Sequence, residues 1–362
     1  MKKFAIYLPQ FHEIPENDKW WGKGFTEWVN VKRAKPLFKG HNQPKVPLNK
    51  NYYNLLDTST VKWQEKLMHD YGIDGLVYYH YFFDGKLLLE QPALNLLKDT
   101  SIDYAFFFCW PSEPWRKSWN GTSEIIMPQS YNEDFWEAHF QYLLQFFKDE
   151  RYEKINNKPL FMIHNTEDVR KHRDMIDYFD SRCIDEGFNG IGIVETYRGG
   201  DFDLFHSECL KQTVLTFVRE PEVSYDINKK KLLQIPKHSF HAIKKRILKY
   251  VTIKSRWIES ILGRIIEKYD GNTFYDIMTK NMLDGTQIAR GMFFGWDNTP
   301  RHSYRGFVIT PPDKNHVRAF FNSLNDNSDY LFINAWNEWA EGMILEPTEA
   351  DGYKYLEWLK EL

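Results

Sequence analysis

Short apolar runs recur along the chain, with helical patterns between many of them. FAIYLPQF (4–11) is the first, and GIDGLVYYHYFF (72–83) follows the helical pattern of TVKWQEKLMHDY (60–71). DYAFFFCW (103–110), PLFMIH (159–164) and NGIGIVET (189–196) come next; after a less regular middle, ARGMFFGWD (289–297) and DYLFINAW (329–336) close the series. Apolar runs of this length alternating with helices predict βα units feeding a parallel sheet. Seven strands are clear. An eighth is expected within DLFHSECLKQTVLTF (203–217), with FDLFH (202–206) the preferred candidate.

Eight strands spread over 362 residues predict an α/β fold, a (β/α)8 TIM barrel with loop insertions. A doubly wound open sheet is the alternative, but no Gly-rich phosphate loop follows the first strand. With no internal repeat, low-complexity tract or linker, residues 1–362 read as a single barrel domain. A basic helical insertion is expected around 228–272. Within it, 237–268 carries nine Lys/Arg against two Glu, with Ile243, Ile247, Leu248, Ile258, Leu262, Ile265 and Ile266 as an apolar stripe. Two readings stand: an outer helix with a solvated basic face, or a patch that docks on an anionic membrane surface.

Charge and composition narrow the partners. A net charge of -3 and a pI near 6.5 give no reason to expect nucleic acid. Thirteen Trp and 21 Tyr offer flat apolar faces with polar edges, surfaces on which sugar rings stack. Cys109, Cys183 and Cys209 have no paired or zinc-like spacing, and no apolar run reaches the length of a membrane span. The expectation is a cytoplasmic protein, with membrane association resting on 237–268 alone.

In a parallel barrel the chemistry gathers at the C-terminal ends of the strands. The runs end in Gln10 and His12; His80 and Tyr81; Trp110, Glu113, Trp115 and Trp119; His164 and Asn165; Glu195; Trp296, Asp297 and Asn298; and Asn334, Trp336, Asn337 and Glu338. Buried without partners these groups would cost stability, so their recurrence at one end predicts a polar pocket with aromatic walls, suited to a carbohydrate. No H-x-H, H-E-x-x-H or G-x-S-x-G spacing occurs, so neither a metal nor a serine nucleophile is expected. The lone D-x-D, Asp201–Asp203, reads as a surface loop.

Glu338 and Glu341 are the strongest chemical feature. If the chain turns helical after the last strand, residues i and i+3 share a face, with Cβ atoms about 5–6 Å apart. Carboxyls that close couple, and one pKa rises enough to supply a proton near neutrality. Glycoside cleavage needs an acid for the leaving oxygen and a second carboxylate.

Five stretches carry a resemblance. YLPQFHEIPENDKWWGKGFTEW (7–28), which includes Trp28, KPLFKGHNQPKVP (35–47), YGIDGLVYYHYFFDGKLLLEQP (71–92), GWDNTPR (295–301) and INAWNEWAEGMILEP (333–347) together resemble the WbsX-type family, labelled as glycosyltransferases of bacterial polysaccharide biosynthesis. That family is similar to the endo-α-mannosidases of glycoside hydrolase family 99, which are (β/α)8 barrels. The resemblance implies that Glu338 and Glu341 are the catalytic carboxylates of an N-E-W-x-E-G segment. It further implies retaining chemistry without a metal, through a 1,2-anhydro sugar. The first glutamate takes the proton of the sugar's own 2-hydroxyl; the second protonates the leaving oxygen, then activates water or a sugar hydroxyl. The remaining strand-end residues, with Trp28, would bind sugar. One departure bears on substrate: where the family commonly reads CWANENW, this chain reads CWPSEPW (109–115).

The expectation is therefore a carbohydrate-active enzyme of bacterial cell-surface polysaccharide metabolism, such as O-antigen or capsule, needing no cofactor. Its substrate would be an oligo- or polysaccharide, free or lipid-linked, with peripheral contact with the inner membrane through 237–268. The alternatives are a glycosyltransferase using a nucleotide-sugar or lipid-linked donor, and a non-catalytic glycan-binding protein.

Overall fold

The computed structural model describes residues 1–116, 124–234, 266–281, 283, 287–324 and 329–362. Eight parallel strands form a closed ring: β1 (Lys2–Tyr7), β2 (Gly75–Tyr79), β3 (Ala105–Trp110), β4 (Lys158–Ile163), β5 (Gly192–Tyr197), β6 (Thr213–Val218), β7 (Ile288–Phe293) and β8 (Tyr330–Asn334). Each pairs in parallel with the next, and β8 pairs with β1, Lys2 opposite Tyr330. Closure leaves no unpaired edge. Helices cover the outside: α1 (Thr58–Tyr71), α2 (Gln91–Lys98), α3 (Trp136–Phe147), α4 (Arg173–Asp185), α5 (Phe202–Ser207), α6 (Glu222–Gln234), α7 (Gly271–Lys280), α8 (Lys314–Ser323) and α9 (Lys354–Glu361). This is the (β/α)8 barrel that the alternation predicts.

The eighth strand lies elsewhere than expected. FDLFH is helical, forming α5, whose first turn is capped by Asp201 accepting from the Leu204 amide at 3.1 Å. The strand is TVLTFV, at the far end of the same segment. An acidic N-cap outweighs a short Phe–Leu–Phe run, whereas Thr213, Val214 and Thr216 supply the β-branched residues that pack on a pleated sheet. The D-x-D is thus a helix cap. Residues 237–265 of the basic stretch, and with them most of the expected 228–272 insertion, lie outside the described residues. Among the described residues no helix is long and apolar enough to cross a membrane.

Aromatic rings plug the lower barrel. Phe4 packs 5.4 Å from Phe107, and Phe332 lies 6.0 Å from Phe107 and 4.9 Å from Phe217, centroid to centroid. Gly75 makes room for this, since a Cβ there would come within 2.5 Å of the Phe4 ring and 2.1 Å of the Ala105 carbonyl oxygen. The interior is therefore solid at the N-terminal end, and any cavity must open at the other.

Candidate active site

A cavity of about 710 Å³ opens at the C-terminal ends of the strands. Every strand contributes to its wall: Leu8 and Gln10 after β1, Tyr79 and Tyr81 on and after β2, Glu113 and Trp115 after β3, His164 after β4, Arg198 after β5, Arg219 after β6, Trp296 and Arg301 after β7, and Glu338 and Glu341 after β8.

The segment after β8 is held from below. Trp336 and Trp339 are fully buried, and their indole N–H groups donate to the Glu346 carboxylate at 2.8 and 2.7 Å. Tyr53 and Gln64 donate to the same carboxylate at 2.8 and 2.7 Å. Gln64 comes from α1, whose buried stripe of Val61, Leu67 and Met68 faces the barrel. Asn337 accepts from the Leu8 amide at 2.8 Å and donates to its carbonyl at 3.1 Å, fastening the loop to the end of β1. Between these anchors Trp339–Glu341 forms a single 3-10 turn closed by Gly342 at φ 64°. Glu338 precedes that turn as its N-cap, at φ -76° and ψ 63°, and Glu341 is its last residue, so the two carboxylates flank the turn and converge on Arg301.

Both reach Arg301. Its guanidinium donates to Glu338 at 3.2 Å, to Glu341, and to Glu27 at 3.2–3.3 Å, so three carboxylates share one cation. Trp296 Nε1 donates to the second oxygen of Glu341 at 3.0 Å. Burial raises the pKa of Glu338, with the neighbouring Glu341 and Glu27 charges adding to the rise and Arg301 opposing it. Burial likewise raises Glu27. The cluster therefore holds a proton more firmly than exposed carboxylates would.

The opposite wall carries two arginines, Arg198 and Arg219. Arg219 donates to Nδ1 of His164 at 2.8 Å and to the Tyr79 hydroxyl at 3.4 Å. Burial, then the nearby Arg219 and Arg198 charges, keep His164 neutral. Because a guanidinium only donates, Nδ1 must accept and the ring proton sits on Nε2, on the side of Glu113, whose Oε1 is 3.7 Å away.

Of the residues expected in the pocket, Gln10, Tyr81, Glu113, Trp115, His164, Trp296, Glu338 and Glu341 line it together. Others face away, and strand parity explains several. Tyr79 and Tyr81 point inward, so His80 points out, where its Nε2 meets His139 Nε2 of α3 at 2.8 Å and its ring stacks on Tyr142. Trp110 follows the same rule on β3, packing on His139 and Phe161. Glu195 on β5 binds Arg170 at 2.7 Å and accepts from Leu210 and Thr213.

Trp28 lies behind the wall, its Nε1 donating to the Tyr53 carbonyl and its ring against Trp339. His12 is buried off the cavity, pushed down to about 4 by burial. Asp297 bonds His41 and Gln43 at 2.7 Å, and Asn298 accepts from the Phe307 amide. Asn334 donates to the Glu220 carbonyl; Trp336 and Asn337 serve the anchors above. Trp119 lies outside the described residues. Sequence reasoning missed Glu27, Tyr79, Arg198, Arg219 and Arg301. Arg301 and Glu27 stand within GWDNTPR and FTEW, so those motifs held the signal; Arg198 and Arg219 carried none.

The architecture is shared with glycosidases. The endo-alpha-mannosidase of glycoside hydrolase family 99 from Bacteroides thetaiotaomicron superposes with a TM-score of 0.56 at 14% identity, covering 99% of this chain and 95% of that one. A glycoside hydrolase-like protein gives a TM-score of 0.54 at 11% identity, covering 99% and 93%. At these identities the likeness concerns the fold. The Glycosyltransferase WbsX family profile matches residues 3–359, and the chain belongs to that family. It is also 30% identical to an uncharacterized protein, WxcX, from Xanthomonas campestris pv. campestris strain B100, over 98% of this chain and 48% of the other. A second WxcX, from strain ATCC 33913, matches equally. The chain spans about half the length of these curated relatives.

Proposed function

We propose that this protein is a carbohydrate-active enzyme that cleaves or transfers a glycosyl group with Glu338 and Glu341 as its catalytic carboxylates. The observation that carries this is their emergence from the two ends of one short turn into a cavity with aromatic walls, both bound to Arg301. Two carboxyls on one turn reach the sugar from the same side, which disfavours flanking a ring on opposite faces. The substrate's own 2-hydroxyl then serves as nucleophile.

In the first step the Glu338 carboxylate takes the 2-hydroxyl proton while that oxygen bonds to the anomeric carbon. The bond to the leaving oxygen breaks as Glu341 protonates it, leaving a 1,2-anhydro sugar. In the second step Glu341 takes a proton from the incoming hydroxyl, whose oxygen attacks the anomeric carbon. The strained C–O bond opens and Glu338 returns its proton to the 2-oxygen. Two inversions give net retention. The chemistry requires a glycosidic bond trans to the 2-hydroxyl. Tyr79, Tyr81, Trp115 and Trp296 offer faces for the ring.

The family description supports a role in polysaccharide biosynthesis, and we place the enzyme in the metabolism of a bacterial surface glycan such as O-antigen or capsule, on cytoplasmic material that is lipid-linked in one version of the scheme. The same description favours a second reading, a glycosyltransferase drawing on a nucleotide-sugar or lipid-linked donor. Incubating the protein with its host's lipid-linked glycan, with and without sugar nucleotides, separates them. Cleavage or transfer without nucleotide supports the first; extension only with nucleotide supports the second. Unchanged turnover in Glu341→Gln would eliminate the assignment of the carboxylates.

A further inference from the structure

Arg198 and Arg219 share a single carboxylate partner. Glu222 divides its carboxylate between two guanidiniums, one oxygen accepting from Arg219 Nε at 3.1 Å and the other from Arg198 Nε at 2.5 Å. No other carboxylate lies within salt-bridge distance of either arginine among the described residues. Arg219 spends its terminal nitrogens on His164 and the Tyr79 hydroxyl. Arg198 does not: Glu222 occupies its Nε, and its two Nη groups have no partner among the described residues. Its side chain is 44% exposed on the cavity wall.

A guanidinium anchored through Nε presents its remaining N–H groups as a fork matched to two oxygens of a carboxylate or phosphate. The Nε2–H of His164, fixed by Arg219, faces the Glu113 carboxylate at 3.7 Å and lies beside this fork, not within it. Glu113 is a second carboxylate on this wall, 3.7 Å from His164 Nε2, so selectivity comes from the open Arg198 fork and not from a surplus of charge on the whole wall. A pair of anionic oxygens fills that fork better than neutral sugar hydroxyls do.

We propose that Arg198, backed by Arg219, forms a subsite for an anionic substituent of the glycan, either a sugar carboxylate or a phosphoryl group. The glycan identity of the ligand rests on the function proposed above; the charge selectivity rests on the arginine geometry alone. The sugar would then lie across the cavity, anion against β5 and β6, reacting carbon against β8.

Calorimetric titration of the full chain with glucose, glucuronate and glucose 6-phosphate tests this, because the three share a ring and differ in charge. One or both anions should bind on the order of 10-fold or more tighter than glucose, an advantage that falls with added salt. Arg198→Met should abolish the preference, and Arg198→Lys should retain part of it. A preference for glucuronate assigns a uronate-bearing glycan; a preference for glucose 6-phosphate assigns a phosphoryl group. Equal affinities for all three, no binding of either anion, or an anion preference unchanged in Arg198→Met would overturn the proposal. Glu341→Gln keeps the two readings apart. If it retains full turnover while the wild type selects anions, the carboxylate assignment fails and the subsite stands.

Discussion

Two kinds of glutamate sit within one stretch of chain, and their surroundings set them apart. Glu346 receives four neutral donors, two indoles, a phenol and an amide, and is sealed in the core at 2% exposure. Glu338 and Glu341 border the cavity and divide one guanidinium with the buried Glu27. Burial raises Glu346 to about 7 while its hydrogen bonds hold it down; for Glu338 the neighbouring carboxylates push in the same direction as burial. A saturated carboxylate is a structural tie. One left short of donors beside its own kind exchanges protons and takes up hydroxyls, so the donor count separates anchor from candidate catalyst.

Breaking each group should fail differently. Glu341→Gln and Glu338→Gln should each lower turnover of a competent glycan by about 10³-fold, within the range for a lost general acid or base, while the folded state survives. Single-turnover rates with a parallel unfolding curve check this. Glu346→Ala should do the converse, leaving four buried donors unpaired and destabilising the protein by roughly 3–5 kcal/mol in denaturant titration. If Glu346→Ala proves stable, the anchor reading is wrong.

The pH dependence sharpens the contrast. A carboxyl whose pKa is raised on folding is bound to more protons in the folded than in the unfolded state. Stability therefore declines as pH climbs from the ordinary carboxylate range through the raised value. Glu338→Gln removes one such group, so thermal unfolding of the variant should gain on wild type at pH 8.5 relative to pH 5. Activity gives a second sign. If Glu338 is the base, kcat/KM rises with pH through its raised pKa; if it is the acid, kcat/KM falls. The smallest effect is expected from Trp296→Phe, which removes one hydrogen bond to Glu341 and should cost about 1 kcal/mol, or several-fold in kcat/KM.

The barrel was legible because alternating apolar runs and helices are a local signal, and seven of the eight strands were found in that pattern. The missed strand shows the limit. FDLFH and TVLTFV are both apolar, and the cap at Asp201 decided between them. Strand-end polarity located the rim of the barrel without saying which way each residue faced. His80 and Glu195 belong to strand ends yet point to helices, while Tyr79 and Arg219 point inward. One residue of register exchanges those fates, and composition does not encode register.

The sequence by itself determined the alternation that makes a barrel, the close spacing of Glu338 and Glu341 at the end of the last strand, and the motifs that mark the family. Only the tertiary structure decided what surrounds those carboxylates. Arg301 arrives from a short helix after β7, Glu27 from the first turn of a short helix after β1, and Arg198 and Arg219, which share Glu222, from the residues that follow β5 and β6. Proton affinity and charge selectivity arise from groups distant in the chain and adjacent in space, because electrostatic coupling depends on separation through the folded protein.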